Sequence, residues 1–448
     1  MPTVAIAIII ATFFLALALT AGARWLAPRA GLVDRPDGSR KCHANPTPLM
    51  GGAAIGAAFL LSSLLLMAVM PSLASRHWGE PFSLFPLLAS AGLFCLLGLY
   101  DDRWGLSPRL KFAGQIAACL PFVTGGGTIA TVTVLGAQVT LGAWSVPFTI
   151  FWLVACSNVL NLMDGMDGLA GTISGIALLT LATLSILTGR YEIAAVTLAA
   201  AAGTAGFLVH NWPPARIFMG DSGSLMLGFL IGAFAIQAAL KQAAGFMLIV
   251  PVVVISVPVF DTAMAILRRK LSGQGIGQAD RGHIHHRLQE RGLSRMQSLL
   301  LIAGLSAAMA GFGMLSFLAN SEPLALLLCG SLLGALVIGR VFGHHETDMA
   351  LRHLRAMGEP WAGASQVLRS RLSPVSRTGA EPELYEGEPA SLGEPAQVAE
   401  VLSNVSAAGA APDIAVVRFD RSVPQRASRN ILPKKQPLPA DSKPARAA

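Results

Sequence analysis

Apolar residues fall in blocks of about twenty along the first 340 positions, and short polar loops divide them. Covering a hydrocarbon core roughly 30 Å thick takes about 20 apolar residues in a helix, so each block predicts a membrane-spanning helix. Eleven blocks qualify, at about 3–22, 51–70, 84–100, 112–130, 144–163, 172–188, 191–209, 224–240, 245–267, 297–317 and 321–340. Several are rich in Gly and Ala, which lets helices approach closely inside a bundle. The block holding Gly125-Gly126-Gly127 has the weakest pattern. From about Glu346 the apolar blocks stop, and Pro, Ala, Ser and charges of both signs take over. That composition predicts a mostly disordered tail, with "DIAVVRF" at 413–419 reading as one short strand. The expected fold is all-α: a polytopic membrane helix bundle of about eleven transmembrane helices over residues 1–345, then a cytoplasmic tail over 346–448.

Composition agrees, since 53% of the 448 residues are hydrophobic and only 13% are charged, far from a soluble balance. The first block ends in Ala21-Gly22-Ala23, which resembles a signal-peptidase site, but no Lys or Arg precedes it and a retained helix is expected. The five cysteines include no Cys-x-x-Cys pair and read as packing residues without disulfide or metal. Charge sets the orientation. With the N-terminus outside, the inside loops hold sixteen Lys and Arg, and the outside loops hold three, Arg76, Arg190 and Lys241. The asymmetry predicts an outside N-terminus and a cytoplasmic C-terminus.

Under that topology every dense polar cluster falls on the cytoplasmic side: "KCHANPTPLMGG" (41–52), "YDDRWGLSPRLKFAGQ" (100–115), "NVLNLMDGMDGLAG" (158–171), "HNWPPARIFMGDSGS" (210–224) and "DRGHIHHRL" (280–288). Asp101 and Asp102 follow an apolar helix directly. Negative charge at a helix C-terminus is unfavourable, so the pair points to a cation or to proton transfer more than to a solvated end. Lys111 opens the next helix, an equally poor place for a cation unless an anion is near; phosphate binding is weighed there against snorkelling. Asn158, Asn161, Asp164 and Asp167 recur every three residues and form a drifting stripe if helical geometry persists. Such groups are costly at a membrane unless paired, so a hydrated site is weighed against a polar seam between helices. "FMGDSGS" reads as a tight turn before a helix starting near Leu225, where Asp221 or Ser222 could simply cap free N–H groups. In the company of the other acids, Asp221 also fits the oxygen coordination that Mg²⁺ prefers. His283, His285 and His286, flanked by Arg281 and Arg287, lack a zinc-like spacing and suit a diphosphate better, with a solvated basic loop as the alternative.

Together these motifs resemble the polyprenyl-phosphate N-acetylhexosamine-1-phosphate transferases, over about 1–340 and in the same order. The resemblance implies a bundle of ten or eleven membrane helices that moves a sugar 1-phosphate from a cytoplasmic UDP-N-acetylsugar to undecaprenyl or another polyprenyl phosphate, with Mg²⁺ (Mn²⁺ as a substitute) and release of UMP. It implies that Asp101 and Asp102 form the catalytic pair, Asp101 deprotonating or orienting the lipid phosphate. It implies a phosphate-binding role for Lys111, nucleotide-site roles for Asn161 and Asp167, and a catalytic, metal-binding role for Asp164. Asp221 resembles the principal Mg²⁺ ligand, and His283, His285 and His286 with Arg281 resemble the segment that holds the phosphates or the sugar. Direct attack by the lipid phosphate and a covalent aspartyl intermediate both remain open.

His-Ile-His-His-Arg-Leu at 283–288 stands where the muramyl-sugar branch has three consecutive His, and it resembles the branch using UDP-N-acetylglucosamine. That branch initiates O-antigen, enterobacterial common antigen, teichoic acid or arabinogalactan linkage units, and N-acetylgalactosamine, fucosamine or quinovosamine donors are the near alternatives. The expected partners are the two substrates and the lipid bilayer of a bacterial inner membrane, with no nucleic acid; a homodimer is allowed. A transporter is the reading from another class, but the acids cluster on one face and no inverted repeat is visible.

Overall fold

The computed structural model describes residues 2–34, 46–74, 84–134, 137–239, 253, 255–272, 282–339, 347, 349 and 352, all within one unit of the chain. Arg281, the first part of the block at 245–267, the strand expected at 413–419 and nearly all of the tail expected over 346–448 lie outside the described residues.

In chain order the elements are α1 (Pro2–Leu26), β1 (Val33–Asp34), β2 (Thr47–Pro48), α2 (Gly51–Val69), α3 (Pro71–Ala74), α4 (Leu84–Trp104), α5 (Pro108–Thr124), β3 (Thr131–Val134), β4 (Ala137–Thr140), α6 (Ser145–Met163), α7 (Leu169–Leu187), α8 (Tyr191–Asn211), α9 (Gly220–Ala239), α10 (Ser256–Leu271), α11 (Ile284–Glu290), α12 (Arg295–Leu318) and α13 (Glu322–Ile338). Among the described residues eight helices are long and apolar enough to cross a membrane: α1, α2, α4, α6, α7, α8, α9 and α12. The protein is a multi-pass membrane protein built mostly of helices.

Local features set where several of the helices begin and end. α5 starts where Ser107 accepts the Leu110 N–H and Pro108 supplies a preset helical φ. It stops at the glycine triplet, where Gly126 takes φ +92°. The β-branched stretch that follows pairs with 137–140 as an antiparallel hairpin, Thr131 opposite Thr140, so the helix expected through residue 130 ends at Thr124. α10 carries Arg268, Arg269 and Lys270 in its last turn, which ends its apolar character before Leu271. α12 begins at a capping box made by Ser294 and Gln297.

α9 is the axis of the bundle. In its apolar stretch 94% of residues are buried, against 17% for α1, and α2, α4, α6 and α7 pack around it. Glycines make those approaches close. A Cβ on Gly52 would fall 2.0 Å from the Gly223 nitrogen, one on Gly98 2.3 Å from the Asp221 carbonyl oxygen, and one on Gly228 2.5 Å from the Ser157 Cα. Without a hydrophobic driving force between helices in lipid, such backbone contact is what holds them together. The outer faces carry exposed Leu64, Leu65, Leu96 and Phe151, as a bilayer-facing surface requires. α2 is also pinned end-on: its Gly51 and Gly52 N–H groups donate to the carbonyls of Phe218 and Met219, next to the start of α9.

Candidate active site

α4 and α6 end, and α5, α7 and α9 begin, around one cleft of about 380 Å³ lined by Asp102, Asn161, Asp164, Asp167, Asp221, His285 and His286 among others. Segments as far apart in the chain as Asp34 and Arg295 therefore meet at one end of the bundle.

Lys111 stands at the junction of three helices. Its Nζ lies 2.8 Å from Asp101 Oδ2 and forms a second ion pair with Asp221. The Asn161 amide, oriented to satisfy both of its ends, accepts from Lys111 at 3.0 Å and donates to Asp221 Oδ1 at 3.0 Å and to the Ser224 hydroxyl at 3.2 Å. Asp101 also accepts the Leu106 N–H, which closes the turn between α4 and α5. The anions beside Lys111 are thus carboxylates of the chain itself. An ammonium can exchange one of them for a phosphate oxygen without leaving its place.

Asp102 does something different from its neighbour. Its Oδ1 accepts the Asp221 N–H at 2.8 Å and its Oδ2 accepts the Ser222 N–H at 3.1 Å. It caps α9 from another helix, satisfying two of the N–H groups that a helix start leaves free and placing negative charge at the positive end of the helix dipole. α9 consequently begins at Gly220, five residues before the start near Leu225 that the sequence predicts, and the Asp221 side chain is released from capping to face Lys111. Only glycine serves at 220: φ is +71°, and a Cβ would lie 2.5 Å from Asp102 Oδ2. Replacing Asp102 by Ala is expected to lower the unfolding midpoint of the detergent-solubilised protein by the equivalent of about 1–2 kcal/mol, the worth of a lost cap, with Asn losing less. An unchanged midpoint with lost turnover would place Asp102 in the chemistry alone.

The polar stripe ends with its helix. Asn158 turns away to exchange hydrogen bonds with Gln115 of α5 (2.6 and 3.3 Å), and α6 stops at Met163. Asp164 enters the cleft, and no hydrogen bond or ion pair from the described residues engages its carboxylate. Burial first, and then repulsion from Asp221, Asp102 and Asp167, pushes its pKa up to about 8. Asp167 accepts the Ala215 N–H at 3.1 Å and stands 3.8 Å from an Arg295 nitrogen. Next to it Gly168, at φ +75°, donates to Asn211 Oδ1 at 2.9 Å, and Asn211 donates in turn to the Ile217 carbonyl.

The three histidines separate. His283 directs Nδ1 at Asp261 Oδ2, 2.8 Å away and out of the cleft lining, while His285 and His286 line it. His285 is 2% exposed, and among the described residues neither ring nitrogen has a hydrogen-bond partner. Burial, with the charges of His286 and His283, pushes its pKa down to about 3, so the ring is neutral and offers one donor and one acceptor.

Asp34, Asn211, Gln289 and Arg295 also line the cleft, and sequence reasoning singled out none of them. Asn211 lies within the 210–224 polar cluster, and Arg295 is one of the sixteen inside-loop cations. Asp261 carried the plainest signal, a lone acid inside an apolar block.

Among the described residues no three carboxylate, imidazole or thiolate side chains converge at metal-binding distance. The donor set still fits Mg²⁺, which is held by one or two carboxylates plus substrate phosphates and water. Asp164, which no described residue engages, supplies one carboxyl group and Asp221 a second on the same cleft.

Residues 84–239, which contain α4 to α9 and most of this cleft, match the family model described as glycosyl transferase family 4. The chain belongs to that family. It is 36% identical over 288 residues to the probable undecaprenyl-phosphate N-acetylglucosaminyl 1-phosphate transferase of Bacillus subtilis, a match spanning 64% of this chain and 77% of the relative. It is 36% identical over 308 residues to the decaprenyl-phosphate N-acetylglucosaminephosphotransferase of Mycolicibacterium smegmatis, spanning 63% of this chain and 75% of the relative. The undecaprenyl-phosphate alpha-N-acetylglucosaminyl 1-phosphate transferase of Yersinia pestis is 28% identical over 343 residues, spanning 74% and 90%.

Proposed function

We propose that this protein transfers N-acetylglucosamine 1-phosphate from its UDP-linked donor to undecaprenyl or a related polyprenyl phosphate and releases UMP. The observation that carries the reading is the junction of Asp101, Lys111, Asn161 and Asp221 at the membrane end of four helices, beside the Asp164 side chain in the same cleft. The names of the relatives supply the sugar and the lipid class.

The cleft meets the physical demand of such a reaction. A water-soluble nucleotide sugar has to meet a phosphate whose hydrocarbon chain cannot leave the bilayer; α4, α6 and α9 present polar groups where their apolar spans end, and α5 adds Lys111 beside Asp221. Lys111 holds the lipid phosphate by exchanging one of its carboxylates for a phosphate oxygen, and Asp101, 2.8 Å from the same ammonium, orients that phosphate and takes its proton. Asp102 keeps the start of α9, and with it Asp221, in place. Asn161 ties Lys111 to Asp221, and Asp167 braces the nucleotide side of the cleft against the 212–217 loop. Asp221 and Asp164 are the residues that would hold Mg²⁺, and the ion, when bound, offsets charge on the donor diphosphate. We place this cleft on the cytoplasmic face of a bacterial inner membrane, with the N-terminus outside; the excess of Lys and Arg in the loops on that side supports the orientation.

Detergent-solubilised protein given undecaprenyl phosphate should release UMP with UDP-N-acetylglucosamine and form a lipid product of the matching mass. A panel with UDP-N-acetylgalactosamine and UDP-N-acetylmuramyl pentapeptide tests the sugar; faster turnover of either would move the assignment to that donor. No product with any donor would sink the reaction class.

A further inference from the structure

Asp261 lies in α10, 1% exposed, and does not line the cleft. Both of its oxygens are nevertheless used across the chain. Oδ2 takes the hydrogen bond with His283 Nδ1 at 2.8 Å, and Oδ1 accepts the Ile284 N–H at 2.9 Å, the first residue of α11. α10 grips the same turn a second time: a Cβ on Gly282 would lie 2.2 Å from the guanidinium carbon of Arg268, so glycine there lets that side chain lie flat on the backbone. Two residues beyond the clamp, the His285 ring lies nearly parallel to that of His283, 8° apart with centroids 6.1 Å from each other. Its edge rests on Gly165, where a Cβ would come within 3.1 Å of Nε2, and this sets the ring in the cleft beside Asp164. Two nitrogens without a partner among the described residues, on a side chain this deeply buried, are costly unless something else completes them.

We infer that Asp261 is a positioning residue: through His283 and the Ile284 N–H it fastens α11 to α10, so that the His285 imidazole stands ready in the cleft to donate a hydrogen bond to the diphosphate of the nucleotide-sugar donor. This rests on the transferase reading above. It also divides the labour of the histidine motif. His283 is the anchor, and His285 is the group that meets substrate.

A double-mutant cycle on the full-length chain in detergent tests it, with KM measured separately for UDP-N-acetylglucosamine and for undecaprenyl phosphate. His285→Ala is expected to raise the donor KM by roughly tenfold or more, the worth of one hydrogen bond to a charged group. Asp261→Ala should do the same, and the double variant should be no worse than His285→Ala alone, because the clamp acts only through the ring. The acceptor KM should stay unchanged. Asp261→Asn should recover most of the donor affinity, since its amide keeps an acceptor for Ile284 and offers a donor to the other tautomer of His283. A general packing defect would instead raise both KM values and multiply with His285→Ala. Multiplying effects, or a wild-type donor KM in Asp261→Ala, would overturn the inference. Should Asp261→Ala fail to insert, the cycle of His283→Ala with His285→Ala makes the same comparison while leaving the Ile284 cap intact. An inactive wild-type protein with every donor would strike the transferase reading itself, which separates the two failures.

Discussion

Turnover is expected to stop in excess EDTA and to return on addition of Mg²⁺ or Mn²⁺. Five carboxylates, Asp101, Asp102, Asp164, Asp167 and Asp221, gather around the cleft, and Lys111 and Arg295 are the cations seen paired with them. Asp102 is neutralised in part by the α9 dipole and Asp101 by Lys111, but Asp164 has no such partner among the described residues and its pKa is pushed up to about 8. Into this cleft the proposed reaction brings two more anions, a diphosphate and a lipid phosphate. Hard divalent cations with oxygen ligands suit the donor set, and Mn²⁺ shares that preference with Mg²⁺. The measurement is UMP release before and after chelation. Full activity in excess EDTA would remove the metal from the reading and leave Asp164 as a proton carrier.

How much of this the sequence discloses depends on whether a property is local. The apolar blocks are legible because span length and composition are properties of one segment; α1, α2, α4, α6, α7, α8, α9 and α12 lie where those blocks lie. The hairpin at 131–140 is not legible in that way, since its Val and Thr residues read equally as the end of an apolar helix until Gly126 breaks it. The acids of the cleft are legible as chemistry because charged groups at membrane helix ends are expensive. What they bond to is tertiary. Adjacent Asp101 and Asp102 cannot be told apart in the sequence, yet one pairs with Lys111 and the other caps α9. His283 and His285 are two residues apart, yet His283 bonds to Asp261 of α10 while His285 lines the cleft. Asp102 and Asp261 share one device: an acid satisfies the backbone of a helix start elsewhere in the chain, 119 and 23 positions away, and the next side chains of that helix are thereby aimed into the cleft.

That device sharpens the test of Asp221. Asp221→Asn is expected to insert and fold normally, because the cap of α9 comes from Asp102 and the substituted side chain keeps an oxygen for the Asn161 amide. Its turnover is expected to fall at least roughly a hundredfold, about 2.7 kcal/mol of transition-state stabilisation. The loss has two sources in the geometry. The Lys111 ammonium gives up one of its two carboxylates and shifts its charge toward Asp101, and the cleft loses one of the two acids that can hold a divalent cation with few protein ligands. Raised Mg²⁺ should restore part of the rate if weakened metal binding dominates, whereas no recovery at any Mg²⁺ concentration would assign the loss to the displaced Lys111. Near-normal turnover at low Mg²⁺, with the unfolding midpoint unchanged, would take Asp221 out of the reaction and leave Asp164 and Asp101 as the carboxylates that meet substrate.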